Sequence, residues 1–519
     1  MFGLKWSLFA TLASLSCIDA ANILVVFTFP GKSHGILGEG YVRLLLAAGH
    51  QVTYITPFPS KKSHPNLIEV DVSRNVDLSP TKLIDIGKIL DKEVDPNDMS
   101  SFTDILLALN NSTYTNENVQ KFLMDPSQKF DAVIVEWLFA DLSCGLSAVF
   151  NCPLIWFSTV EPHWIVTRLI DERLNPAYNA DCMTGNLPPF TFKERVHELW
   201  NQIFIGFFLD YFYVPKEDKL YNALFGPAAA VRGISLPLYN DVRFNASLML
   251  GNSHVSLGQA TRLPQSYKPI AGYHIDPDVK PLPEDLKKIF DNEKRGIIYF
   301  SMGSNLKSKD LPEKLKKDLL KMFGTLKYTV LWKFEEILPD LPRNVHIVKW
   351  APQPSILAHP KTILFVTHGG LLSTTETVHF GVPIIGIPVF ADQFNNVDRA
   401  VNKGFAKRVD LTYTIADDLK VAIVEITSNP RYAAKVKELS LIYHDRPVSP
   451  GKELVHWVEH VIKTKGAPHL RSPALYVPWY QKMYLDLAAL LLAGLIAIKI
   501  VLKRLFCSKK SITSEKKYN

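Results

Sequence analysis

Short unbroken apolar runs alternate along this chain with stretches whose apolar residues recur at helical spacing. The strand-like runs of the first half are Asn22 to Phe29, His50 to Thr56, Phe130 to Trp137 and Cys152 to Ser158. Those of the second half are Gly296 to Ser301, Tyr328 to Phe334, Asn344 to Trp350, Thr362 to His368 and Val382 to Pro388. Helical patterns lie between them, among others at 38–48, 312–323 and 372–380. Continuous apolar strands separated by helices are typical of parallel sheets covered on both faces, so the pattern predicts an α/β protein with two Rossmann-like doubly wound domains.

A proline-rich stretch separates the two halves. Residues 269–283 contain four prolines and no apolar periodicity, which predicts a linker. We therefore expect an N-terminal domain over 21–268, a C-terminal domain over 284–450, and C-terminal helices with a juxtamembrane segment over 451–484. Two doubly wound domains that face each other form a cleft between strand carboxyl ends and helix amino ends, and ligands of such folds bind there.

Both ends of the chain have the patterns of targeting segments. Residues 1–20 resemble a secretory signal, with Lys5 ahead of an apolar stretch and Ala20 at the cleavage point, although an N-terminal membrane anchor is the alternative. Residues 485–502 form an apolar run of about 27 Å as a helix, enough to span a bilayer once. Trp479 and Tyr480 precede it as an aromatic belt. A buried hairpin helix is the alternative for this run.

The basic tail at 503–519 predicts a single-pass type I topology. Its charge places it in the cytosol and places the two domains in a lumen. The final KKYN resembles the dilysine retrieval signal of endoplasmic-reticulum membrane proteins, although a random basic tail could also contain this pair. In the lumen the sequons at Asn110, Asn111 and Asn245 become usable, with only one of the adjacent pair modified. Three luminal cysteines remain, Cys144, Cys152 and Cys182, and their odd number leaves at least one unpaired.

Net charge argues against a nucleic-acid partner. The chain of 519 residues has 58 basic and 51 acidic residues, a formal charge of +7. The tail at 503–519 contains six basic residues and one acidic residue, so the folded part has a charge of only +2. Binding to nucleic-acid phosphates requires a strongly basic folded surface, which this balance does not supply.

The most specific signal is the block WAPQPSILAHPKTILFVTHGGLLSTTETVHFGVPIIGIPVFADQFNN, which begins at Trp350. Its THGG, Glu376, Pro383, Pro388 and closing Asp392–Gln393 resemble the signature of the UDP-glycosyltransferases, a membrane-bound family with the glycosyltransferase B fold. The LLSTTE variant resembles the invertebrate branch. With the signal, the anchor and the basic tail, the resemblance covers effectively the whole chain. It implies that a UDP-sugar is a co-substrate and that no cofactor is needed.

The same block has a physical interpretation as a diphosphate site. His368 ends a strand, and Gly369 and Gly370 let the backbone approach an anion at the amino end of the next helix. Ser373, with the two threonines after it, is a candidate to cap that end. Many family members have an asparagine four residues after the histidine, and this chain has Leu372. A leucine cannot bond a phosphate, so Ser373 or backbone N–H groups would have to serve.

Other parts of the sugar nucleotide are assigned from residue chemistry and from the resemblance. Trp350 is suited to stack on uracil, with core packing as the alternative, and the family implies that Gln353 pairs with the uracil edge. Glu376 can accept both ribose hydroxyls. By resemblance Asp392 and Gln393 hold the sugar hydroxyls. Ser301 and Gly303 resemble a second phosphate contact, although a plain turn is the alternative for these two.

Attack by an acceptor hydroxyl on the anomeric carbon needs a base. His34 follows the first strand at the mouth of the cleft, and the resemblance places the catalytic histidine there. A carboxylate should orient its imidazole, and the candidates are Glu136 and Asp141. We favour Asp141, because the family's partner is an aspartate in this region. No DxD motif or metal-ligand spacing is visible, so we expect a metal-independent reaction.

These features predict inverting transfer of a hexose from a UDP-sugar to a hydroxyl of a small lipophilic acceptor, with conjugation or detoxification as its role. Glucose is favoured over glucuronate, because no arginine follows the Asp392–Gln393 pair until Arg399. The alternative is a membrane-anchored, non-catalytic binder of sugar nucleotides or lipids, which would not need His34 with a carboxylate. The aromatic stretch at 204–213, with Trp164 and Trp200, is left open between an acceptor pocket, a membrane-resting surface and core packing. Homo-oligomerisation is also left open.

Overall fold

A computed structural model describes residues 20–60, 62–79, 86–93, 99–181, 184–304, 306 and 308–515. The chain divides into two compact units that meet in sequence between Arg471 and Ser472. Residues 1–19 of the predicted signal at 1–20, Cys182 and the lysines of KKYN lie outside the described residues. The predicted domain boundaries stay predictions, although Pro269, placed in the linker, is the last residue of a strand.

The first half of the larger unit contains a seven-stranded parallel sheet in the order β3-β2-β1-β4-β5-β6-β7. Its strands are β1 Asn22–Val26, β2 Gln51–Thr56, β3 Leu67–Asp71, β4 Ala132–Trp137, β5 Leu154–Ser158, β6 Leu248–Gly251 and β7 Tyr267–Pro269. The predictions of β1, β2, β4 and β5 are confirmed. Sequence patterning missed β3, which is only partly buried, and the short strands β6 and β7.

Nine helices connect these strands within the described residues. They are α1 Lys32–Ala47, α2 Ile86–Leu90, α3 Met99–Tyr114, α4 Glu117–Met124, α5 Gly145–Phe150, α6 Trp164–Thr167, α7 Phe192–Phe208, α8 Val214–Val231 and α9 Tyr239–Arg243. Helix α1 begins six residues before the predicted start at Gly38, because the polar segment Lys32–His34 forms its first turn. That early start fixes the backbone of His34.

The second half contains a six-stranded parallel sheet in the order β10-β9-β8-β11-β12-β13. Its strands are β8 Ile297–Ser301, β9 Thr329–Lys333, β10 Val345–Val348, β11 Thr362–Thr367, β12 Ile384–Gly386 and β13 Ala406–Arg408. All five predicted strands are present, and only the three-residue β13 was missed. The prediction of two Rossmann-like doubly wound sheets is confirmed.

Eight helices accompany the second sheet or follow it. They are α10 Glu284–Asn292, α11 Glu313–Gly324, α12 Gln353–Ala358, α13 Leu371–Phe380, α14 Gln393–Asn402, α15 Ile415–Ser428, α16 Arg431–His444 and α17 Pro450–Lys463. Helix α17 packs its buried residues Leu454, Val458 and Val461 against the first sheet. The chain therefore returns to the N-terminal half after completing the C-terminal one, which the sequence pattern did not predict.

Each sheet is buried on both faces, as its continuous apolar strands require. In β1, Leu24 and Val26 belong to one core cluster, whereas Ile23 and Val25 belong to the cluster on the opposite face. These four residues are at most 1% exposed, and full burial of such side chains contributes about 1.5–3 kcal/mol each.

The topology places two switch points at the carboxyl ends of the strands. β1 lies between β2 and β4, and β8 lies between β9 and β11, so consecutive connections leave these central strands in opposite directions. Open α/β sheets bind ligands in the crevice that results. His34 follows β1, and His368 follows β11.

The smaller unit contains α18 Trp479–Lys482 and α19 Leu485–Glu515. Among the described residues, Leu485–Phe506 is the one segment long and apolar enough to cross a membrane. Its most apolar 18-residue window has a mean hydropathy of 2.4, and none of that window is buried against protein. A C-terminal membrane anchor fits this segment, which ends four residues beyond the predicted end at 502.

Candidate active site

A cavity of about 380 Å³ lies between the carboxyl ends of the two sheets, within the larger unit. His34 lines it from the N-terminal half. All the residues assigned from sequence to the UDP-sugar line it from the C-terminal half: Ser301, Gly303, Trp350, Gln353, His368, Gly370, Ser373, Glu376, Asp392 and Gln393. The tertiary structure thus gathers around one cavity residues that are up to 359 positions apart in the chain.

His34 has a carboxylate partner, and that partner is Glu136. Its Nδ1 lies 2.5 Å from Glu136 Oε1, and the two side chains are 15% and 4% exposed. The contact forms because β1 and β4 are neighbouring parallel strands, so the turn after β1 and the end of β4 meet at one edge. The ring of Phe29 packs against His34 with centroids 4.5 Å apart. The His34 imidazole is therefore held at the cavity wall by the Glu136 carboxylate and by Phe29.

The preference for Asp141 as this partner is corrected by the structure. Asp141 Oδ1 accepts a hydrogen bond of 2.7 Å from Trp137 Nε1, and Oδ2 lies 3.3 Å from Arg243 Nε. Its backbone N–H donates to Glu217 Oε1, and burial raises the pKa of Glu217 to about 8. Asp141 therefore belongs to a buried charge cluster behind the cavity wall, because the guanidinium of Arg243 needs a compensating charge there.

At the diphosphate end, the ring of His368 lies in a slot between two glycines. A Cβ on Gly303 would lie 2.5 Å from His368 Cε1, and one on Gly370 would lie 2.6 Å from its Nε2. Gly303 also has a φ of 80°, which disfavours any other residue there. Burial, with the nearby charge of Lys333, lowers the pKa of His368 to about 4. The imidazole is therefore neutral near pH 7 and can donate one N–H to a phosphate.

Helix α13 presents its amino end to the same place. No side chain caps it at Gly370, so its first-turn N–H groups are available to an anion. The expected capping hydroxyls are used otherwise, since Thr374 Oγ1 donates back to the Gly370 carbonyl at 3.1 Å. Leu372 packs against a hydrophobic cluster of the N-terminal half. The departure from the family's asparagine therefore replaces a phosphate ligand with an apolar contact between the halves.

The residues assigned to uridine form a hydrogen-bonded network. Gln353 Nε2 donates to Glu376 Oε2 at 2.6 Å and to Ser373 Oγ at 3.1 Å. Tyr299 OH donates to Gln353 Oε1 at 3.3 Å. Ser373, which was considered as a phosphate ligand, is thus already bonded to Gln353. The network leaves Glu376 as a buried carboxylate at the cavity wall.

Trp350 is not a core residue. Its side chain is 56% exposed and lines the cavity, which excludes the core-packing alternative. Lys32 Nζ, from the first turn of α1, lies 4.8 Å from the indole centroid. The indole face is thus accessible from the cleft, as stacking on a uracil ring requires.

Asp392 and Gln393 line the cavity where α14 begins. Gln393 Oε1 accepts N–H groups of Val389 and Phe390, so a ligand contact would use its Nε2. Asp392 Oδ2 accepts from Asn396 Nδ2 at 2.8 Å. Burial raises the pKa of Asp392 above its usual range, while this hydrogen bond and the charge of His34 oppose the rise.

Lys333 and His274 are among the polar cavity-lining residues that sequence reasoning missed. Lys333 ends β9, and its Nζ donates to the Gly303 carbonyl and to Glu335 Oε1, both at 2.9 Å. A cation at the end of a central strand was a usable signal for it. His274 lies in the predicted linker, where an isolated histidine gives no signal. It faces Glu376 from the N-terminal half.

The aromatic stretch at 204–213 does not contribute to this cavity. Phe204, Phe207, Tyr211 and Phe212 are more than half exposed on α7 and on the π-helical segment Leu209–Tyr213 that follows it, whereas Leu209 and Tyr213 are buried. None of these residues lines the cavity. The acceptor-pocket interpretation is therefore not supported for this stretch.

The sequons differ in accessibility. Asn110 is buried within α3, whereas Asn111 and Asn245 are exposed. Burial argues against a glycan on Asn110, and glycosylation itself stays a prediction.

Cys144 and Cys152 are both free. In the part of the chain that the structure describes, no three His, Cys, Asp or Glu side chains are grouped to hold a metal ion, and metal independence stays a prediction.

The family model described as UDP-glucoronosyl and UDP-glucosyl transferase matches residues 44–518. The chain belongs to this family. It is 33% identical over 504 residues to UDP-glycosyltransferase UGT5 of Dactylopius coccus, with 95% of this chain and 93% of that protein covered. It is 27% identical to UDP-glucuronosyltransferase 2B7 of Homo sapiens over 99% of both chains. The resemblance to UDP-glycosyltransferases, including those of invertebrates, is confirmed.

Solved glycosyltransferase structures share the fold. UGT89C1 of Arabidopsis thaliana, solved with UDP, aligns over 85% of this chain and 99% of that chain with a TM-score of 0.55 and 15% identity. CalG4, the calicheamicin glycosyltransferase, aligns with a TM-score of 0.54 and 14% identity over 86% and 99%. The glycosyltransferase B fold is thereby confirmed. The protein is an enzyme that transfers a sugar from a UDP-sugar to an acceptor, and the alternative of a non-catalytic binder is set aside.

Proposed function

We propose that this UDP-glycosyltransferase transfers glucose from UDP-glucose, with inversion and without a metal ion, to a hydroxyl of a small lipophilic acceptor. The observation that supports this most directly is the contact between His34 and Glu136 on one wall of the cavity, opposite the diphosphate cradle of His368 and Gly370. Acceptors of this kind suit a role in the conjugation or detoxification of lipophilic compounds.

In this proposal His34 is the general base. The Glu136 carboxylate accepts a hydrogen bond from Nδ1–H, which leaves the lone pair on Nε2. An acceptor hydroxyl that enters the cavity donates its proton to Nε2 as its oxygen attacks the sugar. Glu136 then stabilises the imidazolium that forms, as a carboxylate does beside a catalytic histidine.

Inversion follows from the two-sided arrangement. The acceptor oxygen forms a bond to the anomeric carbon while the bond from that carbon to the β-phosphate oxygen breaks. Because the base and the diphosphate site lie on opposite walls, attack comes from the face opposite the leaving group. The negative charge on UDP is stabilised by the amino end of α13 and by the His368 N–H.

The lipophilic acceptor is supported by the N-terminal wall. Its lining around His34 is mainly apolar: Phe29, Ile36, Leu37, Phe102, Leu138, Phe139 and Val160. Aromatic and aliphatic side chains bind flat, apolar molecules through area burial, while the base selects a hydroxyl. These residues replace the 204–213 stretch as the proposed acceptor site.

Glucose is favoured because the cavity offers no arginine to a glucuronate carboxylate. Within the described residues that line it, Lys333 is the one lysine or arginine, and its Nζ is already bonded to Glu335. Arg399 does not line the cavity. Burial raises the pKa of Glu161 to about 7, and the charge of Arg399 opposes this rise. Arg399 is therefore close enough to interact with the Glu161 carboxyl group.

Transfer assays test this proposal. Membranes containing the full chain are incubated with labelled UDP-glucose or UDP-glucuronate and a panel of phenols, with EDTA present in a parallel arm. We expect glucosides whose anomeric configuration is opposite to that of the donor, formed equally with EDTA, and a higher kcat/KM for UDP-glucose. Retained configuration, loss of activity with EDTA, or preference for glucuronate would each contradict the corresponding part.

We also propose that the chain resides in the endoplasmic-reticulum membrane with its sheets in the lumen and its basic tail in the cytosol. Protease added to sealed microsomes should remove only the tail beyond the anchor helix. Degradation of the whole chain would exclude this topology. Replacing Lys516 and Lys517 by serine should release the protein to later compartments, and unchanged location would exclude retrieval by KKYN.

A further inference from the structure

His274 is a buried polar residue at the cavity wall that no sequence motif indicated. It lies between β7 and α10, its side chain is 2% exposed, and it lines the cavity opposite Glu376. Among the described residues, neither of its ring nitrogens has a hydrogen-bond partner. Buried polar groups are normally satisfied, so two unsatisfied nitrogens beside a ligand cavity call for an explanation.

The backbone of His274 is held by the N-terminal half. Its neighbour Tyr273 is almost fully buried and donates a hydrogen bond of 3.0 Å to the Leu37 carbonyl in α1. Arg43, also in α1, donates to the Tyr273 carbonyl at 3.1 Å. A Cβ on Gly40 would lie 3.2 Å from His274 Cα, so the glycine permits this close approach. His274 is thus fixed to the same helix that carries His34.

Glu376 receives a contact from each half of the enzyme. Its Oε2 accepts from Gln353 Nε2 of the C-terminal half at 2.6 Å. Its Oε1 lies 3.6 Å from His274 Nε2 of the N-terminal half. The second distance exceeds that of a good hydrogen bond. Polar contacts at enzyme sites are often long without substrate and shorten when it binds.

We propose that His274 is a positioning residue for the nucleotide: it orients Glu376 to accept the ribose hydroxyls, so that binding of a uridine diphosphate depends on both halves. This rests on the proposed placement of the ribose at Glu376. A carboxylate that accepts two vicinal hydroxyls must direct both of its oxygens toward them. Gln353 fixes one oxygen from one side, and His274 is the donor available to the other.

The experiment compares UDP with 2′-deoxy-UDP, which lacks one of the hydroxyls. Equilibrium affinities are measured on the full chain in detergent for wild type, His274→Ala, His274→Gln and Glu376→Gln. We expect His274→Ala to weaken UDP about 3- to 10-fold, the usual effect of one lost hydrogen bond, and to leave 2′-deoxy-UDP nearly unchanged. His274→Gln, which retains a donor of similar reach, should retain most of the affinity for UDP.

The controls separate this inference from the proposal beneath it. His359→Ala changes a histidine that packs on Phe290 outside the cavity, and it should affect neither ligand. If Glu376→Gln does not reduce the preference for UDP, the placement of the ribose fails. Suppose instead that Glu376→Gln reduces the preference for UDP over 2′-deoxy-UDP. If His274→Ala then weakens the binding of both ligands equally, or of neither ligand, the role of His274 is overturned. Should His274→Ala not fold, His274→Asn, too short to reach Glu376, gives the same comparison.

Discussion

The N-terminal wall of the cavity is mainly apolar, with side chains such as Phe29, Phe102 and Phe139 near His34, whereas the C-terminal wall supplies most of the polar side chains that line the cavity. The polar side chains of the C-terminal wall are interlinked, as in the contact of Gln353 with Glu376. Since the two sheets share one architecture, the difference lies in the residues at their carboxyl edges. One wall suits a lipophilic acceptor and a proton, and the other suits a sugar nucleotide.

The units β1–α1 and β11–α13 show how the same strand-turn-helix is adapted to two tasks. After β1, the first turn of the helix directs His34 toward Glu136 on β4, the neighbouring strand of the sheet. After β11, Gly369 with a φ of 83° and Gly370 lead into an uncapped helix. The first arrangement presents a side chain for proton transfer, whereas the second exposes backbone N–H groups to an anion.

Removing the base should have the largest effect. We expect His34→Ala to lower kcat on the order of 10²–10⁴-fold and to leave UDP affinity unchanged, because the nucleotide residues lie on the other wall. Steady-state kinetics and equilibrium UDP binding on the same preparation measure both quantities. A parallel loss of UDP affinity would contradict the division of tasks between the walls.

The two carboxylates should separate by phenotype. Glu136→Gln should lower kcat roughly 10- to 1000-fold with unchanged thermal stability, because it removes the charge that stabilises the imidazolium. Asp141→Asn should instead lower the free energy of unfolding by about 3 kcal/mol, because Arg243 loses its buried counter-charge. Measuring kcat and the melting temperature for both variants decides which carboxylate is the partner of His34. If Asp141→Asn reduced kcat without a stability loss, Asp141 would be restored as the partner.

On the opposite wall, His368→Ala should weaken UDP binding roughly 10-fold, the usual cost of a lost hydrogen bond to a charged group. The KM for the acceptor should not change, since His368 lies on the C-terminal wall and the proposed acceptor site is on the apolar N-terminal wall. Calorimetric titration with UDP and acceptor kinetics at saturating donor check the two statements. An acceptor effect without a UDP effect would reverse the assignment of the walls.

A smaller effect is expected at the acceptor site. Phe139 lines the cavity and packs on Trp137 with ring centroids 5.2 Å apart. We expect Phe139→Ala to raise the KM for aromatic acceptors about fivefold through lost area burial, with no change in UDP affinity. The comparison of a naphthol with a short aliphatic alcohol measures it, and equal effects on both acceptors would show that Phe139 is only structural.

The smallest effect concerns pH and stability. Burial, together with the charges of Arg168 and Arg399, lowers the pKa of His163 behind the N-terminal wall to about 3. Between that value and its ordinary one of about 6.5, the unfolded state binds a proton that the folded state does not, so this residue costs stability as the pH falls. Relative to His163→Gln, wild type should lose about 1 kcal/mol more between pH 7.5 and 5.5. Denaturant unfolding measures it, and an equal loss in both would show that His163 is not buried neutral.

The fold and the nucleotide site were largely predictable from local patterns. Continuous apolar strands require a sheet buried on both faces, and the two glycines after His368 require a close backbone approach to an anion. Both inferences use only residues that are close together in the sequence. The edge strands β3, β7 and β13 were missed because they are short or half exposed, and their pairing partners are supplied only by the assembled sheet.

The partner of His34 was decided by which face of β4 each side chain occupies. Ala132 and Ile134 belong to the core cluster that packs on α1, so the alternation of a strand places Glu136 on that face beside His34. Trp137 belongs to the opposite cluster, where it bonds Asp141. This period-two signal was present in the sequence, but its meaning depended on knowing which face α1 covers.

Sequence alone determined the two Rossmann-like halves, the apolar C-terminal helix and the glycine-bounded cradle for a diphosphate, because burial periodicity and turn chemistry are local properties. Only the tertiary structure decided that Glu136 contacts His34 across 102 positions and that His274 faces Glu376 across the same number. It also decided that Leu372 packs on the opposite half. The first contact depends on which strands become neighbours in a sheet, and the other two depend on how the two halves meet. No local pattern encodes either arrangement.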